Sequence, residues 1–439
     1  MTLKKQGIIC FIITALFING CGGVLPQNNP TNQQNEERGS TNTELLVKRK
    51  ISSLENTGSK KALILKNKLK SIKPLGVEVI KVPDGISVKD YIKELAKDPT
   101  IEYVEPNYIR KITLSEESFA ENSKFDLQDY LAQKIKPSVV KTASRMFNDP
   151  DMKLQYGLDN INADKAWSTT TGNSEVIIAV VDTGVDLSHP DLQENLVNGY
   201  STVKGTSSPN DDNGHGTHVA GIVAALSNNS RGVAGLAPKC KVMPIKVLSA
   251  KGDGNDSDIA EGVVWAVDHG AKIINLSLGG SGAGRTLENA MLYAYNSNVL
   301  VIAAMGNNGK KVKTYPAAFK NIIAVGATDI KNKIAPFSNY GEWISVSAPG
   351  LKIHSTFPTY KVELSRYNLS SSYAVLSGTS MAVPFVAGLA ALIMSKNKDL
   401  NRAEVRKKIE TGCNDIESPG FDEFSGAGLI DASKALNSR

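Results

Sequence analysis

Three short motifs place an acid, a base and a hydroxyl on one chain, each among residues too small to block access. Asp182-Thr183-Gly184 closes the apolar run Val176 to Val181, and His215-Gly216-Thr217-His218 opens a helical pattern through Val219, Ile222 and Val223. Gly378-Thr379-Ser380-Met381-Ala382 stands at the threshold of a longer apolar run. A serine hydroxyl becomes a nucleophile when an imidazole takes its proton and a carboxylate fixes that imidazole's tautomer and stabilises its cation. On this chemistry Ser380 attacks, His215 is the general base and Asp182 orients it. His189, His218, His269 and His354 lack the small-residue setting and read as structural or surface histidines.

These groups need elements to carry them to one place. From Asn148 onward, strand-like runs at Val176 to Val181, Val242 to Val247, Ile273 to Ser277, Val299 to Ala303, Ile322 to Val325 and Trp343 to Val346 alternate with helical patterns. The patterns include a helix after His215, one at about Ile259 to Val267, and a long buried one from Ser380 to Met394. Such alternation predicts an α/β fold with a doubly wound, mostly parallel sheet covered on both faces. Functional groups collect beyond the carboxyl ends of its strands, where Asp182 stands. Ser380 opens a helix, whose N-terminal dipole favours the negative charge developing on an attacked carbonyl.

In front of this region, residues 44–111 read as a smaller α+β domain. Its pattern is strand (Leu45 to Lys48), helix, strand (Val77 to Val82), helix (Val88 to Ala96), strand (Ile101 to Tyr103), which suits a split βαβ, ferredoxin-like sandwich. Residues 112–146 form a polar connector without periodicity. The resulting expectation is 1–20 as a signal peptide, 21–43 as a flexible tether, 44–111 as the small domain, 112–146 as a linker and 147–439 as the large domain.

The order Asp, His, Ser with these flanking residues resembles subtilisin-like serine proteases, the subtilases, over residues about 147 to 437, and thermitase-like members most. The resemblance implies endopeptidase activity through an acyl-enzyme. It assigns Asn307, in Ala303-Ala304-Met305-Gly306-Asn307-Asn308-Gly309, as the side-chain donor to the oxyanion. It also implies that Ser277, Leu278 and Gly279, with Ala304, Met305 and Gly306, bind substrate and wall the specificity pocket, the first segment pairing with the peptide as an added strand. Tyr315-Pro316-Ala317 resembles the family turn with a cis proline. A structural Ca²⁺ site is implied at Asp149, Asp191 and the loop Leu226 to Val233, through Asn229 and the carbonyls of Leu226, Arg231 and Val233; oxygen-only ligands suit that ion. Val203 to Asn210 has no acids, so a second family site is not expected there. The sequence departs from the family at Phe385, where a histidine is usual, and in a longer stretch from Phe357 to Leu376.

Val104-Glu105-Pro106-Asn107-Tyr108 resembles the close of subtilase propeptides, which fold as intramolecular chaperones and inhibitors, so the maturation cut is expected in 112–146. Lys4 and Lys5, an apolar stretch to Phe17 and Ile18-Asn19-Gly20-Cys21 resemble a bacterial lipoprotein signal, which implies export and a lipid on Cys21 that holds the protein to a membrane. The tether composition, rich in Asn, Gln, Pro and Thr, cannot repay the entropy of folding. Of four cysteines, two lie in the targeting segment, so no disulfide framework exists; Cys240 and Cys413 either pair or stay as thiols.

The net charge of +6 sits largely in the small domain, so nucleic acid is not an expected partner. Expected partners are peptide or protein substrates and the chain's own propeptide; a monomer without organic cofactor is expected. Other readings are a processing protease similar to lantibiotic leader peptidases, an aspartic protease, a silent surface-binding lipoprotein and a nucleotide-binding domain. The second copy of Asp-Thr-Gly that an aspartic protease needs does not occur, and one Gly at Gly184 is not the spaced set a pyrophosphate requires.

Overall fold

The computed structural model describes residues 40–50, 66–112, 114–115 and 146–438. The signal segment, Cys21, most of the tether, the first helix expected in the small domain and most of the connector lie outside the described residues.

Four antiparallel strands build the N-terminal domain, in the spatial order Ile101–Ile112, Ser40–Arg49, Val77–Lys81, Lys68–Ile72. Successive strand side chains point to opposite faces, and the sheet uses both. Leu45 and Val47 face one way, with Ile80, onto Tyr91 and Leu95 of the helix Val88–Leu95. That helix starts where the Ser87 hydroxyl accepts the Asp90 N–H. Leu46, Val77, Val79 and Tyr103 face the other way and join the core of the large domain around Val263, Val264, Leu287 and Met291. The two domains are thus one packed body, with Lys70 reaching across to Asp258 and Glu261 at 2.5 and 2.7 Å.

The large domain is a seven-stranded parallel sheet. Its order is Val346–Pro349, Ile323–Thr328, Leu300–Ala304, Ile273–Leu276, Ile177–Asp182, Lys241–Lys246, Tyr200–Ser201. Helices His215–Ala224 and Thr379–Lys396 cover one face, and Asp256–Asp268 and Arg285–Asn296 the other. Thr379 to Met394 are all buried, which explains why that run carries no polar stripe. The expected doubly wound α/β fold with a ferredoxin-like domain before it is the fold observed.

Several boundaries differ from expectation. The last strand of the small domain runs to Ile112, not Tyr103, so the connector begins later than residue 112. Lys68–Ile72 is a strand that the pattern did not show. The strand expected at Trp343 to Val346 lies at Val346–Pro349, because Ile344 N–H turns back to the Gly341 carbonyl at 3.1 Å. The stretch from Phe357 to Leu376 includes one strand of a hairpin, Ile353–Thr356 with Tyr373–Leu376. Cys240 and Cys413 are free thiols.

Candidate active site

Asp182 is the last residue of the strand Ile177–Asp182, and His215 the first of the helix His215–Ala224. Asp211, which sequence reasoning missed, joins the two segments. One of its oxygens accepts Thr183 Oγ1 (2.9 Å), Asn213 N (3.0 Å) and Gly214 N (2.9 Å); the other accepts Thr217 N (3.0 Å) and Thr217 Oγ1 (2.7 Å). Burial pushes this carboxyl above the usual carboxylate range, against the pull of those donors. Gly216 is required by close approach, since a Cβ there would meet the Gly184 carbonyl at 2.0 Å. With both backbones fixed, His215 Nδ1 meets Asp182 Oδ1 at 2.7 Å, and neither side chain is exposed. Asp182 Oδ1 also accepts the Thr183 N–H at 2.7 Å. His215 Nε2 is buried and without a hydrogen-bond partner among the described residues.

Ser380 is the second residue of the helix Thr379–Lys396. Its Oγ donates to the Ser277 carbonyl at 2.9 Å, while Ser277 Oγ donates to the Ser380 carbonyl at 2.8 Å. This reciprocal pair ties the end of the strand Ile273–Leu276 to the start of the helix. Asn307 stands beside them in a fixed orientation. Its Oδ1 accepts both Thr379 N–H and Thr379 Oγ1, each at 2.9 Å, so its Nδ2 must point the other way, where it is buried and has no partner among the described residues. A buried amide donor held without an acceptor is an unfavourable arrangement unless an acceptor arrives. The role of Thr379 was not legible in advance, although it lies inside the serine motif.

The expected substrate-binding residues surround this point. Leu278 and Gly279 form a short strand, and the segment they bind is the chain's own: Ile112 lies opposite Leu278, and Lys111 opposite Gly279. On its other edge the same segment pairs with Asp253–Asn255, Ile109 facing Asn255 and Arg110 facing Gly254. The N-terminal domain therefore lays its last strand between two edges of the large domain. Further along the chain, Ser115 N–H donates to the Ser377 carbonyl at 3.0 Å. Ala304, Met305 and Gly306 are locked beside the helix start: Gly306 N–H bonds Thr379 Oγ1 at 3.1 Å, and Asn339 Nδ2 bonds the Met305 carbonyl at 3.0 Å. Tyr315-Pro316 is a cis bond, as the resemblance implied.

Both departures have a place in the structure. Phe385 is buried, its ring 2.8 Å from where a Cβ on Gly157 would lie. The stretch after Phe357 packs on the loop that carries His215, with Glu363 and Leu364 N–H donating to the carbonyls of Asp212 (3.1 Å) and Asn213 (3.0 Å). Leu114 rests against its small core of Phe357, Leu364 and Ala374.

The large domain matches a family model over most of its length: residues 173–428 fit the subtilase family. The chain is a subtilase. Residues 28–107 match the fervidolysin N-terminal prodomain, so the small domain is a prodomain of that type. This subtilase is 40% identical over 365 residues to the thermophilic serine proteinase of Bacillus sp. (strain AK1), which covers 80% of both chains. It is 43% identical over 290 residues to thermitase of Thermoactinomyces vulgaris, 66% of this chain and 98% of that one. Its fold matches the crystal structure of fervidolysin from Fervidobacterium pennivorans, a keratinolytic enzyme related to subtilisin, with a TM-score of 0.77 at 30% identity. That match covers 91% of this chain and 61% of fervidolysin, so the subtilase spans less than two thirds of fervidolysin's length. The expected serine protease family and fold both hold.

The residues named for calcium converge. Asp149 accepts the N–H groups of Asn228 (2.8 Å) and Asn229 (3.1 Å). Asp191 accepts Asn229 Nδ2 (2.6 Å), Val233 N–H (3.1 Å) and the Tyr373 hydroxyl (3.2 Å). All these partners are neutral. Burial, with Asp149 adding to it, pushes Asp191 up to about 6. Two buried acids without a basic partner among the described residues, in a loop that offers further oxygens, fit a hard divalent cation.

Proposed function

We propose that the chain is an exported, prodomain-controlled serine endopeptidase that hydrolyses peptide bonds through an acyl-enzyme. The observation that carries this is the buried, hydrogen-bonded Asp182–His215 pair, taken with a helix-start Ser380 bonded to Ser277, whose next residues pair with the chain's own strand. Ser380 Oγ leaves the Ser277 carbonyl by turning about its Cα–Cβ bond and attacks the substrate carbonyl. Its proton passes to His215 Nε2, and Asp182 stabilises the imidazolium. The oxyanion takes hydrogen bonds from Asn307 Nδ2 and the Ser380 N–H. The C–N bond then breaks, the amine departs with the proton from His215, and water repeats the sequence on the ester to free Ser380.

The maturation cut falls after Thr113, a residue outside those described. On one side Ile112 is registered on Leu278. On the other, Ser115 is held by Ser377, three positions before the nucleophile. In the mature protein Asp149, Asp191, Asn229 and the carbonyls of Leu226, Arg231 and Val233 hold Ca²⁺, which rigidifies the fold and takes no part in the reaction. Export with a lipid on Cys21, which tethers a monomeric enzyme to a membrane, completes the reading. A fluorophosphonate probe tests its core: the adduct is expected on Ser380 in an enzyme that digests casein. An adduct on a different serine, or casein hydrolysis that survives Ser380→Ala, would overturn it.

A further inference from the structure

Arg110 is the largest fully buried side chain among the described residues. It belongs to the prodomain strand, yet its charge is met by the large domain. Arg110 Nε and Nη2 donate to the two carboxylate oxygens of Asp256 at 2.6 and 2.7 Å, and neither side chain is exposed. Gly280 forms a wall of the slot, where a Cβ would lie 3.2 Å from Arg110 Cδ and Nη1. Gly284 borders Asp256, with 2.4 Å from its missing Cβ to the carboxylate. Tyr108 covers the guanidinium at 5.7 Å. Side chains at either glycine would fill the slot, so the large domain keeps room for a long, flat cation.

Burying a carboxylate this deeply costs a great deal without an opposite charge. Burial pushes the Asp256 carboxyl up to about 6 even with the guanidinium beside it, and the Glu105 charge adds to the rise. When the prodomain leaves, Arg110 leaves with it, and Asp256 then lines a cleft that has lost its cation. A peptide bound between Leu278–Gly279 and Asp253–Asn255 follows the same two ladders, which bring one of its residues to the position of Arg110. A planar fork satisfies both carboxylate oxygens, which an ammonium cannot do in one geometry.

We infer that Asp256 is a specificity-determining residue, and that the mature enzyme selects peptides carrying arginine at the fourth residue before the cut. The position rests on the cut after Thr113 proposed above. Arginine-bearing basic segments are then the preferred substrate class, and the prodomain's own Arg110 makes it both the first substrate and a retained product.

The test uses quenched fluorescent peptides copied from residues 107–115, with Arg, Lys, Ala or Glu at the position of Arg110. Wild-type enzyme is expected to favour Arg over Ala in kcat/KM by about 10- to 100-fold, the range for a bidentate charge-assisted pair. Lys falls between them and Glu comes last. In Asp256→Asn the Arg-to-Ala ratio falls below about threefold, and a ratio does not depend on how much enzyme has folded. A wild-type ratio near one, or an Asp256→Asn ratio equal to that of wild type, overturns the inference. If the Asn variant does not mature, the wild-type ratio alone decides. Product masses fix the cut: cleavage of the Ala peptide at the Thr-Leu bond supports the protease reading even where the arginine preference fails. If none of the four peptides is cleaved by unlabelled enzyme, a separate aliquot of which takes the fluorophosphonate on Ser380, both fail.

Discussion

Replacing Asn307 separates two jobs that its amide performs. The oxygen holds Thr379 through two hydrogen bonds of 2.9 Å, while the nitrogen has no partner among the described residues. Asn307→Leu removes both; Asn307→Asp keeps the acceptor toward Thr379, removes the donor and sets a carboxylate where the oxyanion develops. A hydrogen bond to a charged acceptor contributes about 1.5–3 kcal/mol, so the Leu variant is expected to lose about 10- to 150-fold in kcat and the Asp variant at least as much. The established loss for the equivalent change in subtilisin, a member of the same family, is roughly 10²–10³. KM should stay within about threefold, because the donor meets full negative charge only in the transition state. The Leu variant should also lose about 1–3 kcal/mol of stability, from the Thr379 donors left unpaired. Steady-state kinetics on a fixed peptide, with active sites counted by fluorophosphonate titration, measures the first effect; thermal unfolding in a Ser380→Ala background measures the second. A kcat within threefold of wild type in both variants, or a loss confined to KM, would refute the assignment.

Three further outcomes follow from other contacts. Thr379→Val, which removes one of the two bonds that orient the Asn307 amide, should lower kcat several-fold with KM unchanged; Thr379→Ser should restore most of it, and a failure of that rescue contradicts a positioning role. His218 is buried and donates from Nε2 to the carbonyls of Ile353 and Ala374, and burial, helped by the nearby His215 and His354 charges, pushes its pKa down to about 3. The unfolded chain, at about 6.5, binds this proton first, so stability is lost as pH falls from about 6.5 toward 3. By pH 5 the loss is about 2 kcal/mol. In the Ser380→Ala background, His218→Asn should lose about that much less than its parent between pH 7 and pH 5; equal losses would remove His218 as the cause. Chelation with EDTA should lower the unfolding temperature of the mature enzyme, and Asp191→Asn should abolish the difference between chelated and calcium-loaded protein. An equal response in that variant would move the cation elsewhere.

The site was legible where chemistry and chain geometry coincide in short windows. Asp182 at a strand end and Ser380 at a helix start carry their own local signals, and the parallel sheet follows from fully apolar runs such as the strand Leu300–Ala304. What stayed hidden depends on partners distant in sequence. The pattern ends a strand at Tyr103, and Val104 to Tyr108 resembles the close of a propeptide, yet the strand continues to Ile112. Glu105 accepts the N–H groups of Arg285 and Thr286 at 2.7 Å each, and Asn107 exchanges hydrogen bonds with Ser257 at the start of the helix Asp256–Asp268. Arg110 and Lys246 look like surface residues in any window. Each is buried by an acid far along the chain, Asp256 for one and Asp212 for the other. Asp211 and Thr379 likewise act through backbone groups that no residue pattern announces.

The most direct measurement is the fate of purified precursor and its Ser380→Ala counterpart, followed by mass spectrometry of the protein termini. Wild type is expected to convert itself to a form beginning at Leu114, while the variant stays whole until mature enzyme is added. A variant that cuts itself unaided, or a wild-type first cut at a bond away from the one after Thr113, would contradict the account.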